Sequence, residues 1–295
     1  MANNLGEAVA KYTARLDKIL EAETKTADLN INGELVGEFV GAGEIKIATL
    51  ALDGLADYDR ANGFVAGDMD ISWGTYKLAH DRGREFSIDA MDDGEHLMLV
   101  TANAMAEFAR TKVIPEVDAI RFATLTEKAG ATATGALTKD TVLDALMTAE
   151  EAVGEHADVD GAILYTTLAV KNLIRRALPY RMGQGENPNG KFETFDDMKI
   201  VTVPTSRFYS AVDLLDGKTT GETEGGYKKA DAGAPINFMI VKPEAAAAIQ
   251  RHEKLRYFAP DVNQEKDAHK WQYRLFHDLL VYEGKKSLIY AHLNA

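Results

Sequence analysis

The chain has 295 residues, 46% of them hydrophobic and 27% charged, which is the composition of a globular protein with one large domain or two of ordinary size. It contains no cysteine, so disulfides, thiolate metal sites and cysteine nucleophiles are excluded. The net charge of −13 comes without any block of basic residues, which argues against nucleic-acid binding through phosphates. Apolar runs are short and interrupted by charges, so neither a membrane span nor a secretory signal is predicted.

The first segment is predicted to be an amphipathic helix. Between Leu5 and Ala22 the apolar residues recur at intervals of three and four, which places them in one stripe. The residues that follow have no period. We interpret residues 1–33 as an N-terminal arm whose stripe has no nearby segment to cover it; a helix docked on its own domain is an equal alternative.

A strand over "ELVGEFV" and a long hairpin from Glu44 to Leu78 come next. Along each arm of this hairpin the apolar positions change from one parity to the other, in the second arm at Gly74, where a bulge is expected. Side chains alternate faces along a strand, so the buried face changes halfway along the hairpin. A lone hairpin is at best marginally stable. The pattern therefore indicates a ribbon that leaves its own domain and lies on another surface.

The longest predicted helix runs from Asp92 to Ile114 and begins with a capping-box pattern, Asp92 followed by Glu95. Apolar residues cover most of its circumference, which is typical of a helix between two layers. Pro115 is expected to end or kink it. A second helix is expected to restart with that proline in its first turn.

After the small-residue linker "GATATGALT", alternating helices and strands predict a compact α/β unit over residues 138–261. We expect helices over "KDTVLDALMTAEEAVGE", "LAVKNLIRRAL" and "EAAAAIQRHEK", strands over "GAILYTT", "MKIVTVP" and "INFMIVKP", and long loops over "RMGQGENPNGKFE" and "DGKTTGETEGGYKKADAGAP". The chain closes with two strands around a turn at Glu283–Lys286. We expect both strands to return to the domain of the long helix.

The motifs of common enzymes and metal sites are not found. The hairpin tip places Asp57, Asp59 and Asp68 at positions one, three and twelve of a calcium loop, but position five is Ala61 and position twelve is not Glu. Patterns of the types GxSxG, HExxH and GxxxxGK[ST] do not occur. The scattered histidines are interpreted as structural. We therefore predict no catalytic, cofactor-binding or metal site.

The order of the parts, together with four local stretches, resembles the Hong Kong 97-type major capsid proteins of tailed bacteriophages. These stretches are "GLADYDRANGF", "LAHDRGREFSIDAMDDGEH", "VIPEVDAIR" and "APDVNQEKDAHKWQYRLFHDLLVYEGKKSLIYAH". The resemblance covers essentially the whole chain and implies an α+β coat fold. Its implied parts are an N-terminal arm (1–33), a strand with an extended hairpin loop (34–89), a peripheral domain with the spine helix (90–137), an axial α/β domain (138–261) and a return to the peripheral domain (262–295).

The resemblance implies a shell subunit that assembles as pentamers and hexamers around a phage genome. The implied location is the virion capsid, after assembly in the host cytoplasm. Under it, the surface beneath Ile45, Trp73 and Leu78 is a neighbouring copy. The implied candidates for contacts between subunits are Asp57, Tyr58, Arg60, Trp73, Asp81, Arg82, Arg84 and Glu85. For the last four, ion pairs between subunits and a solvated hairpin base are both open. The alternative functions are an encapsulin-like compartment around protein cargo and, on composition alone, a monomeric α/β enzyme.

Two features differ from some members of that family. Residues 53–68 contain no lysine, so we expect a shell without covalent cross-links. The first predicted strand begins about thirty residues after Met1, so scaffolding is expected from a separate protein. The other implied partners are a portal protein, a decoration protein and packaged DNA enclosed without sequence-specific binding; no membrane partner is implied.

Overall fold

The structure, a computed structural model, describes residues 23–30, 44–54, 56–58, 60, 63–64, 66–89, 105–177, 182–187, 190–252 and 256–295. The predicted helix at 5–22, the predicted strand at 34–40 and most of the predicted spine helix lie outside them. The α-helices are α1 Ile114–Glu127, α2 Val142–Gly154 and α3 Leu168–Ala177. The strands, in chain order, are β1 Glu44–Leu52, β2 Met69–Lys77, β3 His80–Asp89, β4 Ala131–Thr134, β5 Ile163–Thr166, β6 Met182–Asn187, β7 Gly190–Phe195, β8 Met198–Thr202, β9 Val212–Leu215, β10 Gly226–Lys229, β11 Ile236–Val241, β12 Ala246–His252, β13 Arg256–Phe258, β14 Ala268–Val281 and β15 Ile289–Leu293.

The predicted hairpin is confirmed as the ribbon β1–β2. Its antiparallel pairing runs without interruption from Glu44 opposite Lys77 to Leu52 opposite Met69. The bulge predicted at Gly74 is wrong, since Gly74 lies directly opposite Ile47 in the regular ladder. Opposite positions share a face. The backbone register of the ribbon is therefore regular from end to end.

Two larger sheets organise the described body. One has the order β4-β15-β11-β5-β8-β7-β6, with β15 parallel to β4 and β5 parallel to β8. In the other, the long strand β14 pairs with β3 along one side and with β12 and β13 along the other. Among the described residues, no helix is long and apolar enough to cross a membrane.

The larger sheet is covered on both faces. One face of β5 and β11 packs with α2 and α3 in a cluster that includes Leu146, Ile174 and Phe238. The opposite face packs against α1 and the inner face of the second sheet. In that second cluster Phe122 of α1 makes edge-to-face contacts with Tyr165 and Phe208, at ring distances of 5.2 and 4.8 Å. The two sheets and α1 thus share one core.

Pro115 lies at the start of α1, where its missing N–H is tolerated. Contrary to the prediction, the helix does not end and restart at this proline. Residues 105–108 are α-helical, Ala109–Val113 form a π-helical turn and α1 follows directly, with a hydrogen bond from the amide of Ile114 to the carbonyl of Ala109. A wider turn of this kind lets the chain continue past a proline.

The segment 23–30 is fastened to α1 through the fully buried carboxylate of Asp118. Asp118 accepts hydrogen bonds from the amides of Lys25 and Thr26 and, at 2.9 Å, from Thr26 Oγ1. Arg207 Nη1 lies 2.9 Å from the same carboxylate. The buried Arg121 donates to Thr26 Oγ1 at 2.8 Å, and burial lowers its pKa to about 10. Residues 23–30 are therefore held in a fixed position on α1.

Several predicted elements differ in the structure. "EAAAAIQRHEK" is not a helix: its alanines form the buried strand β12, because small side chains allow close pairing beside β14, and this packing outweighs helix propensity. The two predicted loops contain the paired strands β6–β7 and strand β10, which pairs with β9. The linker contains β4. The final strand β15 does not join the sheet of β14; it pairs with β4 and β11 in the larger sheet.

Candidate assembly surface

The base of the ribbon is anchored in its own chain. Leu78 is only 2% exposed and packs against Ile249 of β12. The amide of Ala79 donates to Asp278 Oδ2 at 2.9 Å, and the Tyr76 hydroxyl donates to the carbonyl of Leu279 at 3.4 Å. Burial, reinforced by the Asp278 charge, raises the pKa of Tyr76. The prediction that a neighbouring copy lies beneath Leu78 is wrong, because β14 and β12 extend under this position.

The tip of the ribbon is exposed. Asp53 and Asp68 close it through two hydrogen bonds, Asp53 amide to Asp68 carbonyl at 3.2 Å and Asp68 amide to Asp53 Oδ2 at 2.8 Å. Beyond them the rings of Tyr58 and Phe64 lie 4.8 Å apart and are 59% and 90% exposed. An aromatic pair held in solvent at the end of a ribbon is a typical contact surface.

The four predicted charged residues of β3 divide between the two faces of the strand, as the pleat requires. On one face Asp81 pairs with Arg274 through two bonds of 2.8 and 2.5 Å, and Glu85 accepts from Gln272 at 2.8 Å and lies 3.2 Å from Lys270 Nζ. The hydrogen bond from Arg274 lowers the pKa of Asp81. The hydrogen bond from Gln272, followed by that of Lys270, lowers the pKa of Glu85.

On the other face Arg82 and Arg84 hold the loop between β9 and β10. Arg82 Nε lies 2.6 Å from Glu116 Oε1, and its Nη2 donates to the carbonyls of Leu215 and Gly226 at 2.9 and 3.1 Å. Arg84 Nη2 donates to the carbonyl of Thr223 at 3.1 Å. Gly217 has a φ of 72°, and a Cβ there would lie 2.9 Å from Arg84 Nη1. The positive φ favours glycine at this position, and the absence of a side chain leaves room for the Arg84 guanidinium.

Between that loop, α1 and β3 lies a cleft of about 790 Å³. Its floor carries Phe86, Phe108 and Tyr273 in two edge-to-face contacts, at ring distances of 5.0 and 5.8 Å. Tyr227 forms part of the wall, with its hydroxyl donating to the carbonyl of Ser206 at 2.9 Å. The cleft is thus an apolar floor with a polar rim, which is the anatomy of a protein-binding surface.

The predicted contact residues fall in two places. Asp57, Tyr58 and Arg60 are exposed at the tip, and the charged residues of β3 lie near the base; Trp73 is opposite Ala48 in the ribbon, and its side chain lies outside the described part. Their role between copies stays a prediction. Sequence reasoning missed Phe64, although this aromatic residue lies in the same predicted hairpin tip as Tyr58. It also missed the cleft, whose floor comes from three distant segments. Within the described residues, no three potential metal ligands come together.

No protein-family model matches the sequence, and no curated protein matches it. Solved structures do resemble it. The capsid of cyanophage P-SCSP1u has 11% identity and a TM-score of 0.57, with 87% of this chain and 85% of that chain covered. The mature capsid of bacteriophage PhiM1 has 10% identity and a TM-score of 0.57, with 86% and 82% covered. The holo-SrpI encapsulin complex from Synechococcus elongatus has 12% identity and a TM-score of 0.50, with 86% and 82% covered.

At such identities the likeness is one of fold, and it extends over most of each chain. The predicted architecture is confirmed: the chain has the α+β coat fold of the Hong Kong 97 type.

Proposed function

We propose that this protein is a major capsid protein that assembles as pentamers and hexamers into an icosahedral shell enclosing a phage genome. The observation that carries the proposal is a ribbon anchored at its base in its own chain, with an exposed aromatic tip, on a fold shared with phage capsids. It supports a structural role for the chain, and not an enzymatic one.

The geometry suggests how copies would join. A ribbon that leaves one copy and lies on another makes a head-to-tail contact, and such a contact closes into a ring when its rotation allows. Rings of five and six copies are then built from the same contact. We propose Asp57, Tyr58, Arg60 and Trp73 as contacts along the ribbon, and Asp81, Arg82, Arg84 and Glu85 as contacts near its base.

The proposed partners are further copies of the chain, a separate scaffolding protein, a portal protein and a decoration protein. DNA would be enclosed without sequence-specific contacts, in keeping with the net charge of −13. The proposed location is the virion capsid, after assembly in the host cytoplasm.

A second candidate function is an encapsulin-like compartment around protein cargo. The likeness to the SrpI encapsulin complex favours it specifically, although the TM-scores of the two phage capsids are higher. The two functions differ in what the shell contains.

One experiment tests both. The protein is expressed alone and together with the genes that flank its own, and the products are examined by electron microscopy and for nucleic acid. Closed particles that package DNA support the capsid function, and particles that enclose a co-purified protein favour the compartment. Protein that stays monomeric at high concentration under both conditions overturns the proposal.

A further inference from the structure

Arg121 of α1 is a buried charge whose hydrogen bonds are only partly made. Its side chain is fully buried, and burial lowers its pKa only to about 10, so the guanidinium stays charged at neutral pH. One nitrogen, Nη1, donates to Thr26 Oγ1 at 2.8 Å. The other two, Nε and Nη2, are buried and have no acceptor among the described residues. Because buried N–H groups, and charged ones above all, are normally bonded, a further acceptor is expected here.

The carboxylates around Arg121 are already engaged. Asp118 accepts from two backbone amides, one hydroxyl and a second arginine, Arg207. Glu116 lies 2.6 Å from Arg82 Nε. Two guanidinium groups, those of Arg121 and Arg207, thus share the single carboxylate of Asp118. One positive charge in this buried cluster is therefore not balanced by the carboxylate within it.

Two further buried side chains near Arg121 carry polar atoms without a partner among the described residues, the Tyr165 hydroxyl and His277 Nδ1. Burial is the main reason why the pKa of Tyr165 is raised and that of His277 is lowered to about 3, and the charge of Arg121 acts on both groups. A hydroxyl can donate, and so can a neutral imidazole whose proton is on Nδ1. The unsatisfied groups of this cluster therefore suit an acceptor, and a negatively charged acceptor best.

The cleft beside α1 leads from solvent toward this cluster. The two most buried residues that line it are Val117 and His277, each 1% exposed, and Arg207 lines it as well. Arg121 follows Val117 by one helical turn, which places the two residues on neighbouring parts of one helix face. The carboxylates of residues 216, 222 and 224 lie on the loop at the outer rim, not at this inner end. A small ion can therefore approach Arg121 through the cleft.

We propose that a small monovalent anion of the chloride type binds beside Arg121, where it accepts hydrogen bonds from Nε and Nη2 of that residue and from Nδ1 of His277. The Tyr165 hydroxyl is a further donor on the side of the larger sheet. The ion balances the extra positive charge and joins α1 to β14 next to the docked segment 23–30. This site concerns the single subunit and does not depend on the proposed shell function. An ordered water in the same place would accept the hydrogen bonds without balancing the charge, and it would contradict the proposal.

The direct test uses bromide, which has the charge of chloride and a strong anomalous signal. Crystals of the full-length subunit are grown in sodium bromide, and diffraction is collected at the bromine absorption edge. An anomalous peak within hydrogen-bond distance of Arg121 Nε or Nη2 supports the proposal. An ordered water or a protein carboxylate at that position, without an anomalous peak, overturns it.

The second test measures unfolding in urea at constant ionic strength, with chloride replacing gluconate, an anion too large for a buried site. Above the dissociation constant, each tenfold increase in chloride should lower the unfolding equilibrium constant roughly tenfold. Arg121→Met should abolish this dependence. Arg175→Met, at an arginine whose side chain is 45% exposed, is the matched control and should keep it. No dependence on chloride in the parent, or the same dependence in both variants, contradicts the proposal.

His277→Phe keeps the test decisive if Arg121→Met does not fold. This variant removes one donor and leaves the guanidinium in place, so it should need a higher chloride concentration than the parent for the same stabilisation. A chloride dependence identical to that of the parent would show that His277 does not contact the ion and would overturn the site as proposed. The bromide experiment is made on the parent chain and depends on neither variant.

Discussion

Asp278 accepts a hydrogen bond from the amide of Ala79, 2.9 Å from its Oδ2, and this contact fixes the residue at which the ribbon meets the body. The other oxygen, Oδ1, accepts from the amide of Leu279 at 2.8 Å. One buried carboxylate thus connects the base of the exposed ribbon to the central strand of the smaller sheet.

Asp278→Ala should lower the free energy of unfolding by about 1–3 kcal/mol, because the buried amide of Leu279 loses its acceptor and the amide of Ala79 loses its bond to the body. Urea titration of the unassembled subunit measures this loss. Asp81→Ala is the control: its pair with Arg274 is exposed, and exposed pairs contribute about 0–1 kcal/mol. If the two variants lose the same stability, Asp278 does not anchor the ribbon.

Asp118→Ala should cost about 3–5 kcal/mol, because removing one member of a buried ion pair leaves the charge of Arg207 unpaired and the amides of Lys25 and Thr26 unsatisfied. It should also release the root of the arm. Limited trypsin digestion is then expected to cut after Lys25 faster in the variant than in the parent. Asp28→Ala, which removes the more exposed pair with Lys199, is the control and should leave the digestion rate unchanged.

His277 should make the subunit less stable as the pH falls. Its ring is buried and stacked on His80, and burial, followed by the charges of Arg121, His80 and Arg82, lowers its pKa to about 3. An unfolded histidine binds a proton near pH 6.5. The contribution of the neutral His277 to the free energy of unfolding is therefore complete above pH 6.5. It is lost as the pH falls toward 3, by at most about 1.4 kcal/mol per pH unit.

Unfolding of the parent, His277→Gln and the exposed control His156→Gln between pH 7 and 5 measures this slope. The free energy of unfolding of His277→Gln should depend less steeply on pH than that of the parent. The pH dependence of His156→Gln should match that of the parent. Identical slopes for all three proteins would show that His277 does not carry the effect.

Replacement of residues 53–68 by a two-residue Asn-Gly turn should leave the subunit folded, because this turn favours hairpin closure and the tip packs on no core of the described chain. The change removes the Tyr58–Phe64 pair. A loss of even about 1–2 kcal/mol per contact lowers each pairwise association constant roughly tenfold or more. We expect normal solubility and far-UV circular dichroism but few closed particles by electron microscopy. Assembly equal to the parent's would rule out a bridging role for the tip, and failure to fold would place the tip in the core.

The absence of lysine from residues 53–68 predicts a shell held by non-covalent contacts. Mature particles boiled in detergent should migrate as a single band at the monomer mass of 32.2 kDa. A ladder of covalent multimers would show that another lysine, such as Lys46 or Lys77 in the ribbon, forms cross-links.

Elements with a strong local pattern could be predicted from the sequence. The ribbon, α2, α3 and the buried strands β5 and β11 have clear periods or short apolar runs between turn residues, and the structure contains all of them. Tyr58 was also among the contact residues predicted from the sequence, and its side chain is exposed in the structure.

The errors concern properties that a local pattern does not contain. The alanines of β12 favour a helix in isolation, and only the adjacent strand β14 makes them a strand. The sheet to which β15 belongs depends on pairing with β4, more than 150 residues earlier in the chain. The floor of the cleft requires Phe86, Phe108 and Tyr273 to meet, and nothing in the sequence around any one of them indicates the other two.

The late position of β14 and β15 in the chain affects how the subunit can be synthesised. β14 is the strand to which β3, β12 and β13 all pair, and β15 separates β4 from β11 in the larger sheet. During translation the N-terminal part of a protein usually folds first. Here neither sheet can be completed until residues 268–293 have left the ribosome, and among the described strands β3 pairs with β14 alone. A ribosome-bound chain would therefore lack both finished sheets, so a complete subunit is available for assembly only after the last strand has been made.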